Sequence, residues 1–155
     1  MFVKKGDTYL LLKRSPQKAI APNYFHPAGG KVDTDEDPLQ AAKRELLEEA
    51  GITVKNIKLA AVITELEPHV LGQNWLIFHF IGEYNSGHVQ STQEGEFVWL
   101  TEEDIISNKE RLFPSVRISI NDILDSNTGT IFATFKYRNQ NDEELETKEY
   151  EACVV

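Results

Sequence analysis

The stretch Gly30–Ile52, GKVDTDEDPLQAAKRELLEEAGI, decides how this chain folds. It contains a helix marked at both ends. Asp37 suits the N-cap, Pro38 the first helical position, and Gln40 the spacing of a capping box. Gly51 follows the last turn as a C-terminal stop. A helix is therefore expected over Asp37–Ala50. At about 100° per residue, Leu39, Ala42, Leu46 and Ala50 share one narrow face, the expected buried stripe.

Beside that stripe lies an acidic face. Counted from Leu39, Glu45, Glu48 and Glu49 fall at roughly 240°, 180° and 280°. Glu45 and Glu49 are four residues apart, so their like charges cost a few tenths of a kcal/mol. All three sit in the C-terminal half, where the helix dipole disfavours anions. Arg44, four before Glu48, offers the only close local relief. A solvated face is the ordinary meaning of such a pattern. The opposition to the dipole, the Gly29-Gly30 pair upstream and the further acid Glu36 point instead to a hard divalent cation. Mg²⁺ takes oxygen ligands from a few carboxylates together with substrate phosphates.

The whole chain has 155 residues and a formal net charge of −9. That length suits one domain, residues 1–155, and is enough to bury about 70% of the unfolded surface without a disulfide or structural metal. Residues 30–52 carry a net −4 and residues 141–155 a net −5; elsewhere acids and bases balance. The acidic balance argues against a nucleic acid polymer as partner. The lone cysteine, Cys153, excludes an internal disulfide framework and fits a reducing, cytoplasmic setting. No apolar run reaches 18 residues, so no membrane partner is expected, and the N-terminus lacks the features of a signal peptide. The second acidic block, Asp142–Glu151, reads as a solvated turn and an edge strand whose charge discourages pairing with another molecule.

The remaining pattern is strand-rich. Strands are expected at Thr8–Leu12, Ile57–Glu65, Trp75–Tyr84, Glu96–Leu100, Ile131–Tyr137 and Lys148–Val155. Ser15–Tyr24 reads as a loop and Phe25–Val32 as a turn around Pro27 and Gly29-Gly30. Thr101–Asp104 has the capping-box pattern of a short helix, and Pro114 introduces another over Ser115–Leu124. The expected class is α/β with a mixed sheet.

Gly30-x5-Glu36-x7-Arg44-Glu45-Leu46-x-Glu48-Glu49-x-Gly51-Ile52 resembles the Nudix box with every fixed position filled. The resemblance implies the Nudix fold, an α/β/α sandwich around a mixed β-sheet. It also implies Mg²⁺-dependent hydrolysis of a nucleoside diphosphate linked to a further group, with Mn²⁺ as the alternative ion. Glu48 and Glu49 would then ligate the metal, Glu45 would be a further ligand or orient water, and the Gly30 carbonyl would complete the set. Glu36 would pair with Arg44 and hold the loop on the helix. Several relatives add a late acid five residues before an aromatic. Glu94 has that spacing to Trp99, and Glu96 is its competitor.

The later half is similar to the layout of MutT-like purine nucleoside triphosphatases. That similarity implies a base stacked near Phe113 and read by the polar residue before the Gly-Gly turn, here His26. Lys13 and Arg14 join them as substrate-binding candidates. Ser115 and Val116 stand where members that clear oxidised purines carry an acid pair, and neither can do that work. Pro68, 16 residues after Ile52, matches a feature of the family's ADP-ribose pyrophosphatases. Relatives usually have a complete strand before the segment matching Gly6–Asp7, which here has a short strand or an upstream start. The expected partner is a small-molecule nucleotide, taken by a monomer or homodimer. The alternatives are an ADP-ribose or nucleotide-sugar pyrophosphatase and a catalytically silent nucleotide sensor, although silent domains typically lose a box glutamate and none is missing here.

Overall fold

A computed structural model describes residues 1–18, 21–68, 72–90, 92–137 and 145–153. They form two compact units, Met1–Lys58 with Phe80–Phe113, and Leu59–His79 with Pro114–Val155. Strands and a few helices mix in both, so the chain has an α/β fold with mixed sheet pairing.

The first unit is built on β1 (Phe2–Lys5) and β2 (Thr8–Arg14). They pair antiparallel, and β1 pairs in parallel with β5 (Trp75–Gly87). β2 also pairs antiparallel along one edge with β6 (Gly95–Thr101) and, at Leu12 and Lys13, along the other with β3 (Phe25–His26). Tyr9, Leu10, Leu11 and Leu12 are 2%, 1%, 0% and 1% exposed. Successive strand residues point to opposite faces, so β2 is covered on both. That is why TYLLL reads as a continuous apolar run rather than an alternation.

The main helix, α1, spans Pro38–Ala50. The Asp37 side chain accepts from the Leu39 and Gln40 N–H groups at 2.8 Å, and Gln40 accepts from Asp37 N at 2.9 Å, a complete capping box. Gly51 closes the helix in the left-handed region at φ 70°, donating to Leu47 O. Leu46 and Ala50 are buried as expected, but Leu39 and Ala42 are only half-buried and Ala41 is buried instead. Ala41 lies about 200° from Leu39, on the flank where Arg44 ties the preceding loop to the helix.

β4 (Ile52–Leu66) starts directly at the helix stop, five residues before its expected start. The polar Lys55-Asn56 pair looks like an interruption in sequence. The chain absorbs it by placing Asn56 at φ 51°, with Asn56 Nδ2 donating to Glu83 at 2.9 Å. β5 likewise runs past Tyr84 to Gly87, extended by polar pairs between Thr53 and Ser86 at 2.8 Å and between Asn85 and Thr53 at 3.2 Å. α2 (Glu102–Ser107) has the expected Thr101 capping box, and a single 3-10 turn at Lys109–Arg111 leads to Phe113.

In the second unit, β4 pairs in parallel with β7 (Thr130–Tyr137), which pairs antiparallel with β8 (Leu145–Cys153). Ile131, Ala133 and Phe135 are buried, as are Val116, Ile120, Ile123 and Leu124 of α3 (Pro114–Leu124). Tyr150 of β8 packs its ring against Phe135 at 6.5 Å and donates its hydroxyl to Asp122 of α3. Ser115 and Val116 are buried. Of the second acidic block, Glu146, Glu149 and Glu151 lie on β8, while Asp142, Glu143 and Glu144 fall outside the described residues. The expected end of the last strand, Val154–Val155, also falls outside them.

Candidate active site

Every residue that the sequence nominates for binding or chemistry lies in the first unit. The centre is the guanidinium of Arg44. Its Nε and Nη2 donate to the two oxygens of Glu36 at 3.1 and 2.6 Å, and Nη2 also donates to the Lys31 carbonyl at 3.1 Å. Glu36 accepts in addition from Asp33 N at 3.0 Å. The Arg44 hydrogen bonds, followed by the Asp33 N–H, hold the Glu36 carboxyl below the usual carboxylate range. Loop 31–36 is thereby fastened to α1.

The same guanidinium reaches the acidic face. Nη1 donates to Glu45 at 2.9 Å and to Glu48 at 3.2 Å. Glu49 turns the other way and accepts from Gly29 N at 3.1 Å. Burial pushes the Glu49 carboxyl above its ordinary range; the Gly29 N–H opposes this, and the Glu45 and Glu94 carboxylates add to the rise. Glu45 and Glu94 therefore each stand close enough for Glu49 to feel their charge. Glu94 is drawn aside by Lys18, whose Nζ lies 2.6 Å from its Oε2, and that contact lowers its pKa.

A Cβ built on Gly30 would meet the Glu45 carboxylate, so a side chain here would require that carboxylate to move. The backbone of the Gly-Gly turn and the carboxylates of α1 thus share one small region. Their chemistry, hard oxygen donors carrying excess negative charge, fits a hard divalent cation. The side chains are not converged for one. Among the described residues no three His, Cys, Asp or Glu side chains are arranged to hold a metal ion. Arg44 holds Glu45 and Glu48, and Lys18 holds Glu94.

A second cluster forms around Phe113. His26 meets its ring edge-on at 5.9 Å, Tyr24 does so at 5.8 Å, and the Arg14 guanidinium lies 5.9 Å from its centroid. Burial, ahead of other effects, lowers the His26 pKa, so the ring is neutral at pH 7. Its Nδ1 lies 2.9 Å from the Pro27 carbonyl, which can only accept, so Nδ1 carries the proton. Nε2 is left as a buried lone pair with no hydrogen-bond partner in the described structure.

Strand register separates two pairs that sequence leaves together. His26 pairs with Leu12, and Lys13 with Phe25 and Glu96. Arg14 shares the face of Leu12 and His26, whereas Lys13 and Glu96 share the opposite face. Lys13 is therefore not grouped with Arg14, and Glu94 rather than Glu96 is electrostatically coupled to His26, Arg14 and Glu49. Tyr24 and Lys18 were not among the residues singled out from sequence. Tyr24 was findable as the aromatic two positions before His26 in an extended segment; nothing in the loop marks Lys18.

The model of the NUDIX domain family matches residues 1–121. The NAD-capped RNA hydrolase NudC of Chromobacterium violaceum is 37% identical over 96 residues, covering 62% of this chain and 33% of that protein. The chain thus spans about a third of that relative's length. The crystal structure of a MutT mutator protein from Bacillus halodurans superposes with a TM-score of 0.76 at 22% identity, covering 97% of this chain and 93% of that one. A NUDIX hydrolase from Nitrosomonas europaea gives a TM-score of 0.63 at 22% identity, over 78% and 82% of the two chains.

Proposed function

The chain belongs to the NUDIX domain family, and on that premise we propose that it is a pyrophosphohydrolase that cleaves a purine nucleoside triphosphate, unmodified or oxidised, to the monophosphate and pyrophosphate. The observation that carries the reading is the full carboxylate set of α1, Glu45, Glu48 and Glu49, beside the Gly30 backbone and within electrostatic reach of Glu94. Residues 1–155 act as one domain in this reading. The lone cysteine and the small nucleotide substrate favour a cytoplasmic setting, with the protein a monomer or homodimer.

Glu45, Glu48, Glu49, Glu94 and the Gly30 carbonyl would hold Mg²⁺, or Mn²⁺ in its place. When bound, the cation neutralises phosphate charge and lowers the pKa of water. The chain's own residues do the rest. Arg44 and Glu36 keep loop and helix in register, so the Gly30 carbonyl and the carboxylates stay on one side. Tyr24 and Phe113 offer ring faces and edges to the base. The His26 Nε2 lone pair suits a base N–H, and Arg14 a phosphate oxygen. Water adds to one phosphorus of the α–β anhydride as its bond to the bridging oxygen breaks, which gives monophosphate and pyrophosphate, and a carboxylate of the set accepts the water proton.

A substrate panel with Mg²⁺ tests this: unmodified and oxidised nucleoside triphosphates, ADP-ribose, dinucleoside polyphosphates and nucleotide sugars, compared by kcat/KM. The expected result is a purine triphosphate in first place with monophosphate and pyrophosphate as products. A lead for ADP-ribose or a nucleotide sugar would replace the substrate assignment. Nucleotide binding without turnover under Mg²⁺ or Mn²⁺ would make the chain a sensor.

A further inference from the structure

Each of Glu36, Glu45, Glu48 and Glu94 is held by a cation of the chain itself. One guanidinium, Arg44, serves Glu36, Glu45 and Glu48. Lys18, on the loop after β2, serves Glu94. The two holders differ in kind. Arg44 is fixed by its fork on Glu36 and by the Lys31 carbonyl, so Nη1 is a pre-set third arm. Lys18 is a flexible point charge on an exposed loop, and Glu94 is half-exposed.

We propose that Lys18 and Arg44 are built-in counter-cations that a divalent metal displaces, Lys18 from Glu94 and the Nη1 arm of Arg44 from Glu45 and Glu48. The inference rests on the metal reading given above. A carboxylate oxygen that accepts from an ammonium or guanidinium at 2.6–3.2 Å has that direction of approach filled. Ligating a cation then means breaking the contact or sharing it against like charge. Metal loading therefore carries an internal cost. It also frees the Lys18 ammonium beside the carboxylate at the moment the site becomes able to take an anionic phosphate.

Binding of Mn²⁺ alone to the full chain, without nucleotide, is the test, read by the paramagnetic resonance signal of free Mn²⁺ and by calorimetry. Lys18→Gln is expected to tighten Mn²⁺ by about two- to fivefold, the range of an exposed ion pair. Glu94→Gln should weaken it, and Lys18→Gln should then have no further effect. Lys13→Gln, which removes a charge from the face of β2 opposite Arg14, should leave the affinity unchanged. Arg44→Lys should also tighten Mn²⁺, because an ammonium kept on Glu36 preserves the join of loop and helix but has no second arm for Glu45 and Glu48. Unchanged or weaker Mn²⁺ binding in Lys18→Gln would overturn the Lys18 role, and so would an effect that persists with Glu94→Gln. Weaker binding in Arg44→Lys would leave Arg44 a positioning residue only. No Mn²⁺ binding by any form would remove the metal reading together with this inference.

Discussion

Arg44 and Glu36 form a two-pronged ion pair, Nε to Oε2 at 3.1 Å and Nη2 to Oε1 at 2.6 Å, across eight residues of chain. The pair joins the loop that carries the Gly-Gly turn to the helix that carries the carboxylates. Everything proposed for the site depends on that join.

Glu36→Gln should therefore lower both thermal stability and kcat/KM, the latter by roughly ten- to a hundredfold as for an outer-shell partner of a metal site. The Glu36 pKa is depressed in the folded chain, so its stabilising contribution is complete above the unfolded value of about 4.3 and is lost as pH falls through the folded value. Melting curves across that acid range should show the wild type and the variant converging. Parallel curves would count against the pairing as a stabilising element.

Glu49→Gln should behave in the opposite way. Burial raises the Glu49 pKa, so its charge opposes folding at neutral pH, and an amide oxygen can still accept from Gly29 N. The melting temperature should hold or rise while turnover falls at least about tenfold. Wild-type kcat at saturating Mg²⁺ would remove Glu49 from the metal set.

Gly30→Ala puts a methyl where the Glu45 carboxylate lies, and Arg44 Nη1 restrains that carboxylate. Overpacking of this kind costs about 1–3 kcal/mol. Denaturant titration should show the loss, with kcat/KM falling as Glu45 is pushed off position. Full activity would mean that Glu45 has room to move.

His26→Ala should raise KM more than it lowers kcat, since the ring packs edge-on against Phe113. Its folded pKa lies below the unfolded value of about 6.5, so the stability of the neutral ring is present above that pH and lost as pH falls towards the folded value. His79, with a pKa lowered to about 3 by burial, adds a loss of the same sign. Acid unfolding should begin below about pH 6.5 and be shallower in His26→Ala. An equally steep profile would place the lability elsewhere.

What sequence made legible was local. The caps of α1 depend on atoms at most three or four residues apart, so Asp37, Gln40 and Gly51 could be read directly. The same holds for the Thr101 box of α2. The acidic face of α1 follows from spacing alone, and the net −4 of residues 30–52 is read from composition. Where neighbours from elsewhere intervene, reading by spacing failed. Ala41 is buried outside the stripe that spacing assigns, and β4 runs on through Asn56, whose side chain meets Glu83.

Tertiary structure alone decided which candidates act together. Lys13 and Arg14 are adjacent in sequence, yet the two-residue period of β2 sends them to opposite faces, and only pairing with β3 and β6 shows which face carries His26. It also decided that Arg44 gathers Asp33, Glu36, Glu45 and Glu48, and that Lys18 holds Glu94. The physical reason is one of range. Caps and periodicity are set within a turn of helix, whereas an ion pair between residues 18 and 94 requires two distant segments to be brought together by the packing of everything between them.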